Sequence, residues 1–139
     1  MSGAGQMLAQ AALSYLHAPF RLHGRSREEG LDCVGLLACA MSDSGFGAVL
    51  PQGYGLRNRA PGGHLACLAA SGFTPQPHSS SIKAGDVLIT FPGPAQQHLL
   101  IACSPDRFVH AHAGLRRVAL ATLPLPWPVA QQWRLQPGI

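Results

Sequence analysis

The sequence predicts an α+β fold, with N-terminal helices packed on an antiparallel sheet, and three observations carry that reading. Residues 6–17 and 31–41 place apolar side chains as two helices would. Residues 86 to 121 break into short apolar runs separated by turn residues, the pattern of a strand meander. The 139 residues include 16 glycines and 12 prolines, too many for a helical bundle. Helices followed by strands, with no repeat and no linker between them, predict one domain over residues 1–139.

Taken in order, Met7, Leu8, Ala11, Ala12, Tyr15 and Leu16 predict a helix over 6–17, ended by Pro19. Residues 20–30 are a polar, Arg-rich connection. Leu31 to Met41 is apolar nearly all round and predicts a buried helix. Residues 42–62, rich in Ser, Gly and Pro, predict a long surface loop. A short helix is expected over 64–71, closed by Gly72, with loop over 74–84. Strands are expected at Asp86–Phe91, stopped by Pro92-Gly93-Pro94, at His98–Cys103, at Arg107–Ala113 after the turn Ser104-Pro105-Asp106, and at Leu115–Ala121. The run Leu123-Pro124-Leu125-Pro126-Trp127-Pro128 cannot be a central strand, and Gln131–Leu135 is expected as a last, edge strand.

Ten basic residues against six acidic ones give a net charge of +4, and Lys83 is the one lysine among nine arginines. The arginines are scattered and not interleaved with aromatics, so a solvated surface is expected and nucleic acid is not. No apolar run approaches the roughly 18 residues that span a bilayer. The first residues lack the basic stretch of a secretory signal, so export by a cleaved peptide is not expected. Four cysteines without a CxxC spacing make neither a disulfide framework nor a zinc ribbon.

Cys33 is different from the other three. It follows Asp32 at the start of a predicted helix, where unpaired backbone N–H groups and the helix dipole favour a thiolate and can stabilise an oxyanion. Cys39, Cys67 and Cys103 lie within apolar periodicity and read as packing residues. A thiolate nucleophile needs a proton acceptor and a group that orients it. His98, His110 and His112 lie in consecutive predicted strands, and His110 and His112 share a face. His98 joins that face only if an odd-length connection or a bulge pairs even with even residues; a plain two-residue loop turns it away. His17, His64 and His78 read as structural.

The segments Gly30-Leu31-Asp32-Cys33-Val34-Gly35-Leu36, Ala84-Gly85-Asp86-Val87-Leu88, His98-Leu99-Leu100-Ile101 and Phe108-Val109-His110-Ala111 together resemble the NlpC/P60 cysteine peptidases, in order and spacing, over residues 6–121. The compact size, Val34 and the closing Trp segment resemble the small branch found in phage tails and gene transfer agents. The resemblance implies a papain-like α+β fold and hydrolysis of peptide bonds in peptidoglycan stem peptides. It implies Cys33 as nucleophile, His98 as general base and His110 as the residue that orients His98, a choice of His110 over His112 that the spacing leaves open. It implies no metal or other cofactor. It also implies substrate contacts at Asp32 and at the upstream-loop position Phe20; His112, and His23 in the same loop as Phe20, are further candidate polar groups at the cleft, although His23 reads first as a solvated loop residue. Expected partners are the peptidoglycan peptide and phage-like tail proteins, with the protein cytoplasmic until assembled into a tail particle.

Three departures from the family pattern stand out. Val34 replaces a serine, Phe20 replaces a tyrosine and Leu100 replaces a glycine. They point to altered substrate preference, and they support the rival reading of a catalytically weak or inactive structural tail protein. Two further rivals are a zinc site made of Cys33, His98, His110 and His112, and an acyltransferase acting on lipids by the same thiol–imidazole chemistry.

Overall fold

The computed structural model describes residues 3–47, 68–77, 81–91 and 98–135. Two helices, α1 (Gly3–Leu13) and α2 (Cys33–Asp43), flank a small hairpin, β1 (Arg25–Ser26) and β2 (Gly30–Leu31). Six further strands follow: β3 (Phe73–Gln76), β4 (Val87–Thr90), β5 (His98–Ser104), β6 (Arg107–His112), β7 (Arg117–Thr122) and β8 (Val129–Leu135). They form one antiparallel sheet in the order β3-β8-β4-β5-β6-β7. This is the α+β architecture that the sequence predicts.

Helix α1 begins three residues earlier than expected and stops at Leu13, so Tyr15 and Leu16 fall in a turn. The Ser14 hydroxyl bonds back to the Ala11 carbonyl at 2.6 Å, competing with the helical ladder. The chain then meets β7: the His17 N–H donates to the Val118 carbonyl, and the Val118 N–H to Ala18. Helix α2 starts at Cys33 rather than Leu31 because Asp32 caps it and Gly30–Leu31 pairs with Arg25–Ser26. A helical turn at 68–70 ends at Gly72, whose φ of 95° suits glycine; the rest of the helix expected over 64–71 lies outside the described residues. So do most of the 42–62 loop, the Pro92-Gly93-Pro94 stop and His78.

Two strand expectations are corrected. Residues 73–76 form β3 where loop was expected, and β8 is interior because β3 covers its outer side. Pro75 hides β3 from a pattern reading, since proline suggests no strand, yet the outermost position tolerates it.

The sheet's two faces differ. Val87, Ile89, Leu99, Ile101, Val109 and Ala111 pack with Leu8, Leu36, Met41 and other helix residues in the main core. Leu88, Leu100, Ala102 and Phe108 make a second cluster on the opposite face, covered by Ile82, Ala121, Leu125 and Trp127. Leu125 and Trp127 belong to the connection that carries the chain from β7 across this face to β8. Asp86 ties the β4 end to β8: it is fully buried and takes hydrogen bonds from Arg134, Gln132 and the Lys83 N–H. No helix among the described residues is long and apolar enough to cross a membrane.

Candidate active site

The β1–β2 hairpin and the Asp32 cap set the position of Cys33. One Asp32 carboxylate oxygen accepts from the Gly35 N–H at 2.8 Å and from Arg25 Nη1 at 3.2 Å; the other accepts from the His23 N–H at 2.8 Å. A cap of this kind contributes roughly 1 kcal/mol, and here it also binds the upstream loop to the first turn of α2. The two backbones lie so close that a Cβ on Gly35 would collide with the Gly24 carbonyl, which explains the glycine at that point of the motif.

The register of β5 against β6 decides where the imidazoles point. Ile101 pairs with Val109 and Ala102 with Phe108, but Ser104 pairs with Arg107, so one residue is bulged out between Ala102 and Ser104. The loop holds only Pro105 and Asp106, and the bulge supplies the odd step that the triad reading requires. Even residues therefore face even residues, and His98, His110 and His112 gather on one face. His98 Nε2 lies 2.7 Å from His110 Nδ1. The ring centroids of His98 and His110 are 5.0 Å apart, and those of His110 and His112 are 5.3 Å apart.

Cys33 meets this group through the backbone of β5. The backbone amides of Leu99, the residue after His98, and of Val34 and Cys33 itself lie close enough to the sulfur to favour its ionised form. The residue is half-buried and packs against the main core. Helix α2 thus delivers the thiol to the strand whose first residue is His98.

The electrostatics differ from the expectation of a resting thiolate. Burial, and then the Asp32 carboxylate beside it, push the Cys33 thiol from 9.0 up to about 12, outweighing the backbone N–H groups that pull it down. Burial, then the neighbouring His110 and His112, push His98 from 6.5 down to about 3. Burial and His112 push His110 down to about 4. In the free protein at neutral pH Cys33 is therefore a neutral thiol, and His98 and His110 are neutral imidazoles. The helix terminus acts in the expected direction, but desolvation and the capping charge are larger.

The remaining expected site residues sit around this centre in different ways. Asp32 is 2% exposed, with its oxygens engaged in the cap, so its observed work is to position Cys33. Phe20 is half-buried against the main core, bridges to Leu31, and donates its N–H to the Arg116 carbonyl. His23 is exposed, at a φ of 63°, and contributes its backbone N–H to Asp32. His112 is half-buried, and its Nδ1 accepts from the Leu115 N–H at 3.0 Å. Among the described residues no group of three or more His, Cys, Asp or Glu is arranged to hold a metal ion.

Sequence reasoning missed Trp127 and Arg25. Trp127 lies in a proline run whose local spacing gives no signal of a site; only the crossing of the β7–β8 connection brings its ring 5.0 Å from that of His98. Arg25 reads as one more surface arginine until the hairpin turns it onto Asp32.

No family model matches the sequence, and no curated protein does. Solved structures do match. NlpC2 from Trichomonas vaginalis superposes with a TM-score of 0.74 at 16% identity, covering 99% of this chain and 48% of its own. The NlpC/P60 domain of the peptidoglycan hydrolase SagA superposes with a TM-score of 0.63 at 20% identity, covering 96% of this chain and 98% of its own. The P60 domain of an antigen from M. avium subspecies paratuberculosis does so with a TM-score of 0.64 at 18% identity, covering 97% and 96%. The chain spans about half the length of the NlpC2 structure, but nearly the whole of the two isolated domains. The helices, the sheet order and the capped cysteine helix laid on β5 and β6 are therefore arranged in the fold of the NlpC/P60 domains.

Proposed function

We propose that this chain is a cysteine peptidase that hydrolyses peptide bonds in peptidoglycan stem peptides, with Cys33 as nucleophile, His98 as general base and His110 as the residue that orients it. The observation that carries the reading is the 2.7 Å hydrogen bond between His98 Nε2 and His110 Nδ1, on the strand whose Leu99 amide lies beside the Cys33 sulfur. The likeness in fold to a peptidoglycan hydrolase domain supports the substrate class.

The hydrogen bond fixes the chemistry that His98 can do. If His98 Nε2–H donates to His110 Nδ1, then His98 Nδ1 is unprotonated and free to take the thiol proton. His110 then carries its own proton on Nε2. A thiol held near 12 and an imidazole held near 3 do not rest as an ion pair. Proton transfer to His98 accompanies attack of sulfur on the scissile carbonyl, as charge moves onto the carbonyl oxygen near the first amides of α2. The imidazolium formed keeps its bond to His110 and then protonates the leaving amine. Water attacks the thioester, His98 takes the water's proton, and the carboxylate product leaves with the thiol restored.

Digestion of purified muropeptides followed by mass spectrometry tests this reading. The expected result is stem-peptide fragments with new amino termini; intact muropeptides after prolonged incubation would overturn it. Asp32, Phe20, His23 and His112 are proposed to line the peptide site, with Asp32 reached only if a substrate amine displaces the Arg25 guanidinium. The setting in a phage tail or gene transfer agent, with tail proteins as partners, rests on the sequence resemblance.

A second reading has its own support. The raised Cys33 thiol, Val34 and the absence of a hydroxyl at Phe20 favour a catalytically silent protein that keeps the fold for assembly. It predicts no muropeptide cleavage and no acyl adduct on Cys33 when a stem peptide is supplied.

A further inference from the structure

The histidine face carries a fourth ring that the sequence did not connect with it. Trp127 lies 5.0 Å from His98 with the planes at 77°, 5.9 Å from His110 at 65°, and 6.1 Å from His112 at 35°. The segment that holds it is fixed at both ends. The Leu123 N–H donates to the Asp106 carbonyl, the Phe91 N–H donates to the Pro128 carbonyl, and Leu125 packs on the Leu88–Leu100–Phe108 cluster. Pro124, Pro126 and Pro128 each fix a backbone φ, so the segment is a stiff strap.

We propose that Trp127 is a positioning residue, the strap-borne cover that keeps water from the His98–His110 hydrogen bond and holds the two rings in the one arrangement that leaves His98 Nδ1 free. The inference rests on the reading of His98 as a base, and it extends that reading to a residue on a different element. A ring that touches all three imidazoles replaces water on one side of each. A short hydrogen bond between two neutral rings survives only where water does not compete for both nitrogens. The other titratable groups facing His98 are His110 and His112 from β6, while the Cys33 thiol, on α2, lies by the backbone of the next residue, Leu99. Burial leads the depression of both His98 and His110, and no carboxylate among the described residues opposes it.

The test is an NMR titration of the imidazole carbons and nitrogens in the wild type, Trp127→Ala and Trp127→Phe, with amide spectra to check the fold. Trp127→Ala should raise the His98 and His110 midpoints toward the ordinary value by about one pH unit or more, the scale of a partial loss of burial. It should also replace the single tautomer of His98 by a mixture. Trp127→Phe should restore both. If the alanine variant does not fold, Trp127→Leu takes its place, with a smaller rise expected. Unmoved midpoints and an unmoved tautomer in a folded alanine or leucine variant would overturn the proposal. The readout needs no turnover, so a protein without peptidase activity could still show the shift, and an active one could fail to.

Discussion

The two ends of the β5–β6 pair share strands and share a face, yet they differ in what they carry. At the turn end, Ala102 and Phe108 are fully buried beneath the β7–β8 strap. At the open end, His98, His110 and His112 crowd beneath Trp127. The pairing runs from Ser104↔Arg107 to Ile101↔Val109, and beyond it the Leu99 N–H lies beside the Cys33 sulfur. The lesson is that one bulged ladder supplies both a core and the histidine cluster of the proposed active site. The core end sets the register, and the register then decides that the open end gathers all three imidazoles on one face rather than parting His98 from the other two.

Breaking the register should therefore have the largest effect. Deleting Cys103, the extra residue between the Ala102 and Ser104 pairs, shifts His98–Ala102 by one position and moves Leu99 and Ile101 off the core face. The expected outcome is loss of the cooperative fold, read by circular dichroism and urea titration; a folded variant with an intact His98–His110 bond would show that the bulge does not set the face. Phe108→Ala, at the turn end, should cost about 3–5 kcal/mol by denaturant titration, the usual range for a fully buried aromatic.

Acid should separate the two ends next. His98 and His110 titrate from about 3 and about 4 in the folded protein, against 6.5 when exposed. Between those values the unfolded chain binds protons that the folded chain refuses, so their contribution is complete above pH 6.5 and is lost as pH falls through 4 toward 3. Thermal melts should show stability falling over that window. A double variant, His98→Gln with His110→Gln, should flatten the fall, whereas Phe108→Ala should lower stability without changing its pH dependence.

A smaller effect is expected at the helix. Asp32→Asn keeps one oxygen, enough for the Gly35 amide or the His23 amide but not both, and removes the charge that raises the thiol. It should cost about 1–3 kcal/mol and move the pH midpoint for Cys33 alkylation downward; an unchanged or higher midpoint would show that the carboxylate does not oppose ionisation. Smallest of all, Leu120→Ala on the exposed outer strand should change stability by no more than about 0.5 kcal/mol.

Much of this was legible in the residues. Apolar periodicity located both helices and the strands from β4 to β7, because each buries a regular stripe. Asp32 before Cys33 marked a helix start, although the exact boundary depended on the Gly30–Leu31 pairing, a contact with residues 25 and 26 that no local pattern displays. The histidines were visible as candidates, but their common face hung on one bulged residue, which sequence alone leaves as a condition. The sign of the Cys33 shift was misread because a helix terminus is a local feature, while desolvation depends on what the rest of the chain lays over it. β3 and Trp127 were hidden by the same residue type: Pro75 disguises an outer strand, and three prolines disguise a strap that reaches a reactive centre.

The central claim is that the sulfur of Cys33 forms the covalent intermediate. It is tested most directly by rapid acid quench of the protein with a stem peptide, followed by peptide mapping in the mass spectrometer, for the wild type beside Cys33→Ala. The account predicts an acyl adduct on the fragment containing Cys33 and no adduct or product from the alanine variant. Product release by Cys33→Ala at the wild-type rate, or an adduct on any other residue, would contradict it.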